Sequence, residues 1–173
     1  TKELLLLKES SNNSSKYEKA YKEKLLEETR RVVELQKECG IDVIVSGELN
    51  RDNYMSYVAE VVDGIKLLNM EEVMSLTNNT DNFSKSLEEM DAADDTMNSP
   101  ICFSKLDTKK RLNDFEFGIL KELVDGDIKC TLPSPYLLTR SMWLKEVTGK
   151  VYDGRRELGE DVVELLCNEI REL

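Results

Sequence analysis

The sequence has 173 residues, 40% of them hydrophobic and 34% charged, enough for one globular domain with a core of its own. Its 24 basic and 35 acidic residues leave a net charge of −11, spread along the chain, which makes nucleic acid and anionic membrane surfaces poor partners. There is no histidine, so neither Ser-His-Asp nor Cys-His catalysis, nor an imidazole metal site, can be assembled from these residues.

The segment Thr1–Glu9 contains the run Leu4–Leu7 but neither a basic flank nor a small-residue cleavage site, so no secretion signal is expected. No apolar run approaches the roughly 20 residues of a spanning helix. The expected location is cytoplasmic. Cys39, Cys102, Cys130 and Cys167 lie far apart with no C-x-x-C pair, and the expectation for all four is a buried free thiol.

After the polar stretch at residues 10–15, a helix is predicted from about Lys16 to Cys39. Its apolar stripe is Tyr17, Tyr21, Leu25, Val32, Leu35 and Cys39, and Gly40 stops it. Residues 42–47 form a short β-branched run that fits a strand buried on both faces, as parallel sheets require. Residues 54–68 predict another helix or an irregular excursion. Residues 69–99 lose all periodicity and are expected to be an insertion or mobile loop.

Order returns with a second predicted strand at 100–104, then a helix over 109–124 with Leu112, Phe115, Ile119 and Leu123 on one face. A third strand is predicted at 127–132, closed by Pro133-Ser134-Pro135. Helical segments follow at 136–147 and 154–173, the latter with Leu158, Val162, Leu165 and Leu173 along one side. Strands alternating with helices imply a parallel sheet. A closed (βα)-barrel takes about 250 residues. The chain is therefore expected to be a single partial domain, 1–173, holding about the first half of a TIM-type barrel. Its strands would be neighbours in the order 42–47, 100–104, 127–132.

Two stretches carry a family resemblance. One runs from Glu34 through Gly40 and Gly47-Glu48 to Asp52, and the other from Lys129 through Pro133-Ser134-Pro135 to Arg140. Both resemble the catalytic barrel of the cobalamin-independent methionine synthases, where a helix ending L-Q-x-x-G leads to a strand ending in G-E. There a later strand ends in a proline-bracketed turn. Residues 100–105 and 154–173 are similar to the family's intervening strand and to the helix before its fifth strand.

The resemblance implies methyl transfer from a methylated folate to a thiol such as homocysteine. It also implies a zinc ion that holds the thiol as thiolate. In the family, one His, two Cys and one Glu hold that zinc beyond the fifth strand. None of them is matched here, and the opening Gly-Ser-Phe-Pro turn is missing too, unless Leu4–Leu7 is its remnant. No catalytic residue, metal ligand or cofactor of its own is therefore expected in this chain, which should be inactive by itself. It should need the remaining barrel half or associate with itself.

The resemblance assigns three substrate-binding candidates. Glu48 matches the glutamate that holds the substrate's amino group, and a carboxylate there makes a charge-assisted hydrogen bond to an ammonium. The bland alternative is a solvated loop glutamate. Trp143 lies near the position of an aromatic residue that contacts the folate's pterin, although a lone helical Trp also suits a core. Ser134 stands where the family has glycine between prolines, which leaves less room for a ligand. Arg51 and Asp52 read as a structural ion pair in the same loop. Two other functions stay open: a non-catalytic remnant serving assembly, and another reaction of the uroporphyrinogen decarboxylase and methionine synthase superfamily.

Overall fold

The computed structural model describes residues 2–11, 15–51, 53–77 and 98–173. Its elements are α1 (Lys2–Ser11), α2 (Ser15–Glu38), α3 (Tyr57–Val61), β1 (Ile65–Leu68), α4 (Met70–Leu76), β2 (Ser99–Cys102), α5 (Asp114–Leu123), α6 (Pro135–Met142), α7 (Lys145–Thr148) and α8 (Arg155–Glu172). By its contacts the chain divides into two compact units. The first comprises residues 1–51 and 113–131, the second 52–112 and 132–173.

In the first unit, α2 ends as its sequence predicts. Gly40 adopts φ +73, its amide donates to Lys37 O, and the Ile41 amide reaches back to Gln36 O. This is a Schellman closure, for which the left-handed residue is best a glycine. The chain turns directly into residues 41–47. Gln36 holds that segment in place, its amide donating to Val45 O (2.9 Å) while its own oxygen accepts from Val45 N (3.1 Å). A side chain thus occupies the hydrogen-bonding positions that a neighbouring strand would fill.

The buried face of α2 is Leu25, Glu28, Thr29 and Val33, not the stripe expected from the apolar residues. Tyr17, Leu35 and Cys39 are exposed, Leu35 by 59%. Polar residues at 28 and 29 obscured the true i, i+4 phase. Glu28 stays charged through Lys24 (3.0 Å), whose ammonium holds its carboxyl below the usual range. Val33 packs with Ile44, Leu120 and Val124 into one apolar cluster, and Lys37 caps α5 by donating to Leu123 O.

The expected set of neighbouring parallel strands is not what forms. Ile44 bridges Ile128 directly and in parallel, through Ile44 N to Asp127 O (3.0 Å) and Lys129 N to Ile44 O (2.9 Å). The run 127–132 contributes this single bridge, and among the described residues no strand lies between it and residues 42–47. The run Leu4–Leu7 lies in a helix, which excludes a strand remnant there.

The second unit holds the antiparallel pair β1 and β2, with Ile65 opposite Cys102 and Leu68 opposite Ser99. Residues 65–68, expected to be helical or irregular, are thus a strand, too short at four residues for a period to show. The predicted helix at 109–124 starts later, at Asp114, and the one at 136–147 divides into α6 and α7. The core joins Leu138 and Met142 of α6 to Leu158, Val162, Leu165 and Leu166 of α8. Thr148, fully buried, donates to Cys102 O (2.9 Å) and accepts from Leu144 N (3.1 Å). Within the segment expected to be an insertion, α4 is described and is closed by a capping box between Asn69 and Glu72. Residues 78–97 lie outside the described residues.

Of the four cysteines only Cys102 is fully buried; Cys39 is exposed and the other two are partly covered. Burial pushes the Cys102 thiol up to about 11, so at neutral pH it holds almost no thiolate, the reactive form. A thiol reagent such as Ellman's is expected to modify Cys39 promptly in the native protein and Cys102 only once denaturant is added. Peptide mapping reads this directly, and equal labelling rates would show that the core around Cys102 opens.

Candidate functional site

The segment that begins at Ile44 ends in a tight turn. Gly47 has φ +80, and a Cβ there would lie 3.1 Å from Val32 Cγ1, so this position needs a glycine twice over. Glu48 follows with φ +56, the one non-glycine residue of positive φ among the described residues. Left-handed backbone is costly for a side chain as long as glutamate, and such outliers persist where the surroundings impose them. Here the Ser46 hydroxyl accepts from Glu48 N (3.1 Å), and Arg51 N donates to Glu48 O (3.1 Å).

Beneath the turn lies Arg51, its side chain 2% exposed. Its Nε and Nη2 donate to the two oxygens of Glu116 on α5, both at 2.8 Å, in the side-by-side geometry that suits a guanidinium and a carboxylate. Nη2 also donates to Asn113 Oδ1 (2.9 Å), and Nη1 to the Thr131 hydroxyl (3.0 Å). Ser46 adds a third hydrogen bond to Glu116, donating at 3.0 Å. The arginine thereby pins the turn to the start of α5 and to the end of the 127–131 segment. The expected ion pair with Asp52 falls outside the described residues; the long-range pair to Glu116 is described.

Glu48 meets that arginine only as a loose ion pair. Its Oε2 stands 3.8 Å from Arg51 Nη1, beyond hydrogen-bonding distance, while Oε1 accepts from the Thr131 hydroxyl at 2.5 Å. The side chain is 34% exposed, so its carboxylate keeps acceptor capacity toward solvent. A shallow, partly open depression lies in the same unit, lined by Leu25, Thr29, Ser46, Leu49, Asn50, Phe115, Glu116 and Ile119. The Glu116 carboxylate borders it with both oxygens already engaged, which makes it part of the framework.

The other two candidates belong to the second unit. Ser134 is exposed and caps the N-terminus of α6 without a side-chain hydrogen bond. Trp143 ends α6 and packs, partly buried, against the apolar core of that unit. The sequence reading missed Ser46, Asn113, Glu116 and Thr131. Only the Arg in the loop signalled such a site, since a buried guanidinium must find carboxylate and carbonyl partners somewhere.

Residues 1–126 match the family described as cobalamin-independent synthase, catalytic domain, and the chain belongs to that family, whose fold is of the TIM-barrel type. Over 47 residues it is 40% identical to a 5-methyltetrahydropteroyltriglutamate--homocysteine methyltransferase of Coxiella burnetii (strain RSA 331 / Henzerling II). That stretch is 27% of this chain and 6% of that protein, so the match spans a small part of its relative. Glu48, Arg51 and Glu116 fall inside the matched family region; Thr131, Ser134 and Trp143 fall outside it.

Members of the family depend on zinc and folate in general. Among the described residues no three Cys, Asp or Glu side chains come together as a metal-ligand set, and the sequence has no histidine. The residues present do not fit the zinc centre. No described helix is long and apolar enough to cross a membrane.

Proposed function

We propose that this chain is part of a methyltransferase of the methionine synthase type, acting on an amino-acid thiol such as homocysteine with a methylated folate as donor. On this reading residues 1–173 belong to one partial parallel barrel with 69–99 as an insertion, and the protein is cytoplasmic. Glu48 holds the substrate's ammonium, while Trp143 and Ser134 serve the folate side. The observation that carries the proposal is the Glu48 turn: a partly exposed carboxylate, strained backbone and a buried arginine that fixes the loop and meets the acid only across 3.8 Å. A mere surface glutamate has no need of such a support.

Glu48 orients and does not react. A carboxylate facing an ammonium makes a charge-assisted hydrogen bond that places the amino acid and hence its sulfur. No step of the methyl transfer is assigned to other residues of this chain.

Glu48→Gln keeps the shape and loses the charge. In the full-length protein the affinity for L-homocysteine is expected to fall by about ten- to a hundredfold, or roughly 1.5–3 kcal/mol. The melting temperature should barely move. Calorimetric titration beside a thermal melt checks both; unchanged affinity would reassign Glu48 to the scaffold.

A second reading, a barrel part kept for assembly with the remaining half or with another copy, is favoured by one feature. Leu35, Ile41 and Val43 leave apolar side chains exposed.

A further inference from the structure

We infer that Thr131 is the positioning residue for Glu48, setting the direction in which that carboxylate meets a primary ammonium. The inference rests on the reading of Glu48 as the amino-group contact. A hydroxyl has one proton to donate and two lone pairs to accept with. At Thr131 one lone pair takes a proton from Arg51 Nη1 (3.0 Å), and the remaining hydrogen points at Glu48 Oε1 (2.5 Å). The order of donors is thereby fixed: guanidinium to hydroxyl to carboxylate.

Two consequences follow from that order. A cation behind the hydroxyl polarises its O–H and strengthens the bond to the carboxylate. The arginine nevertheless stays 3.8 Å from Glu48 Oε2, because Glu116 takes its Nε and Nη2 at 2.8 Å. Thr131 therefore holds Oε1 of Glu48, while Oε2 meets the arginine only across the 3.8 Å ion pair. Together with Ser46 on its backbone amide, the glutamate is fixed at both ends. An ammonium needs a negative charge in a defined place; a hydrogen-bonded Arg51–Glu48 pair would offset that charge more than the 3.8 Å ion pair does. Thr131 supplies the aim while that pair stays loose.

The test uses the full-length protein and two probes, L-homocysteine and 4-mercaptobutanoate, which lacks the amino group. Thr131→Val keeps the shape and removes the hydroxyl. The homocysteine affinity is expected to fall about tenfold while that for 4-mercaptobutanoate stays within twofold, and Thr131→Ser should restore the original ratio. Thr131→Ala replaces the valine variant if that one does not fold. An equal loss on both probes, or no loss on either, would overturn the inference by giving Thr131 a structural role or none. Glu48→Gln separates the two ideas. If it abolishes the preference for homocysteine and Thr131→Val does not, Thr131 alone is misassigned. If Glu48→Gln also leaves the preference intact, the amino-group reading fails and takes this inference with it.

Discussion

Arg51→Ala is expected to destabilise the first unit by about 3–5 kcal/mol, the largest effect of any single change near the site. The guanidinium is 2% exposed and joins Glu116, Asn113 and Thr131 by hydrogen bonds of 2.8–3.0 Å. Removing it leaves the Glu116 carboxylate, itself only 11% exposed, without its cation. An unpaired charge that is shielded from water costs far more than the pair was worth in isolation. The control is the double variant Arg51→Met, Glu116→Leu, which removes both charges and should recover much of the loss. Since the chain has two compact units, one bulk melting curve does not isolate the effect. Hydrogen exchange at the Ile44 and Lys129 amides, which form the parallel bridge, reports on the first unit alone. A loss of protection below about 1 kcal/mol would mean that water reaches Glu116 once the arginine is gone.

What was legible in the sequence is what depends on nearby residues. The long helix, its glycine stop and the turn into residues 42–47 follow from patterns a few positions wide, and all three hold. So does the last helix, whose Leu158, Val162 and Leu165 are fully buried. The parallel sense of residues 44 and 128 was also correct, although the strands around them are not built. On the opposite edge Gln36 takes both backbone groups of Val45, the positions a further strand would use.

What failed depends on partners far along the chain. The Arg51 loop gives no sign that Glu116, 65 positions away, is a partner of its guanidinium. Nothing in the helix 109–124 marks Glu116 as different from its acidic neighbours. Thr131, between Cys130 and Leu132, reads as one more strand residue, although its hydroxyl links Arg51 to Glu48. Glu48 was found because a glycine and a family motif precede it. Its supports were not, since a hydrogen-bond network has no period.

The same blindness hides Glu169. Periodicity counts it as one of many acids on α8, but it is 0% exposed, accepting from Leu112 N at 2.8 Å and from Arg111 Nε at 2.9 Å. It ties the last helix of the second unit to the chain ahead of α5. Glu169→Ala is expected to cost about 3–5 kcal/mol, because it strands a buried amide, removes the partner of Arg111 and opens a void beside α8. Glu169→Gln keeps an oxygen for the Leu112 amide and fills the same volume, so it should cost only about 1–2 kcal/mol. At roughly 2–4 °C per kcal/mol for a chain of this length, the two variants should melt well apart. Urea titration followed by the fluorescence of Trp143, the sole tryptophan and a residue packed on that core, reads the second unit directly. If the alanine variant proved as mild as the glutamine one, the Leu112 amide and Arg111 would have to find water or other acceptors, and Glu169 would be a passenger on α8 rather than its anchor.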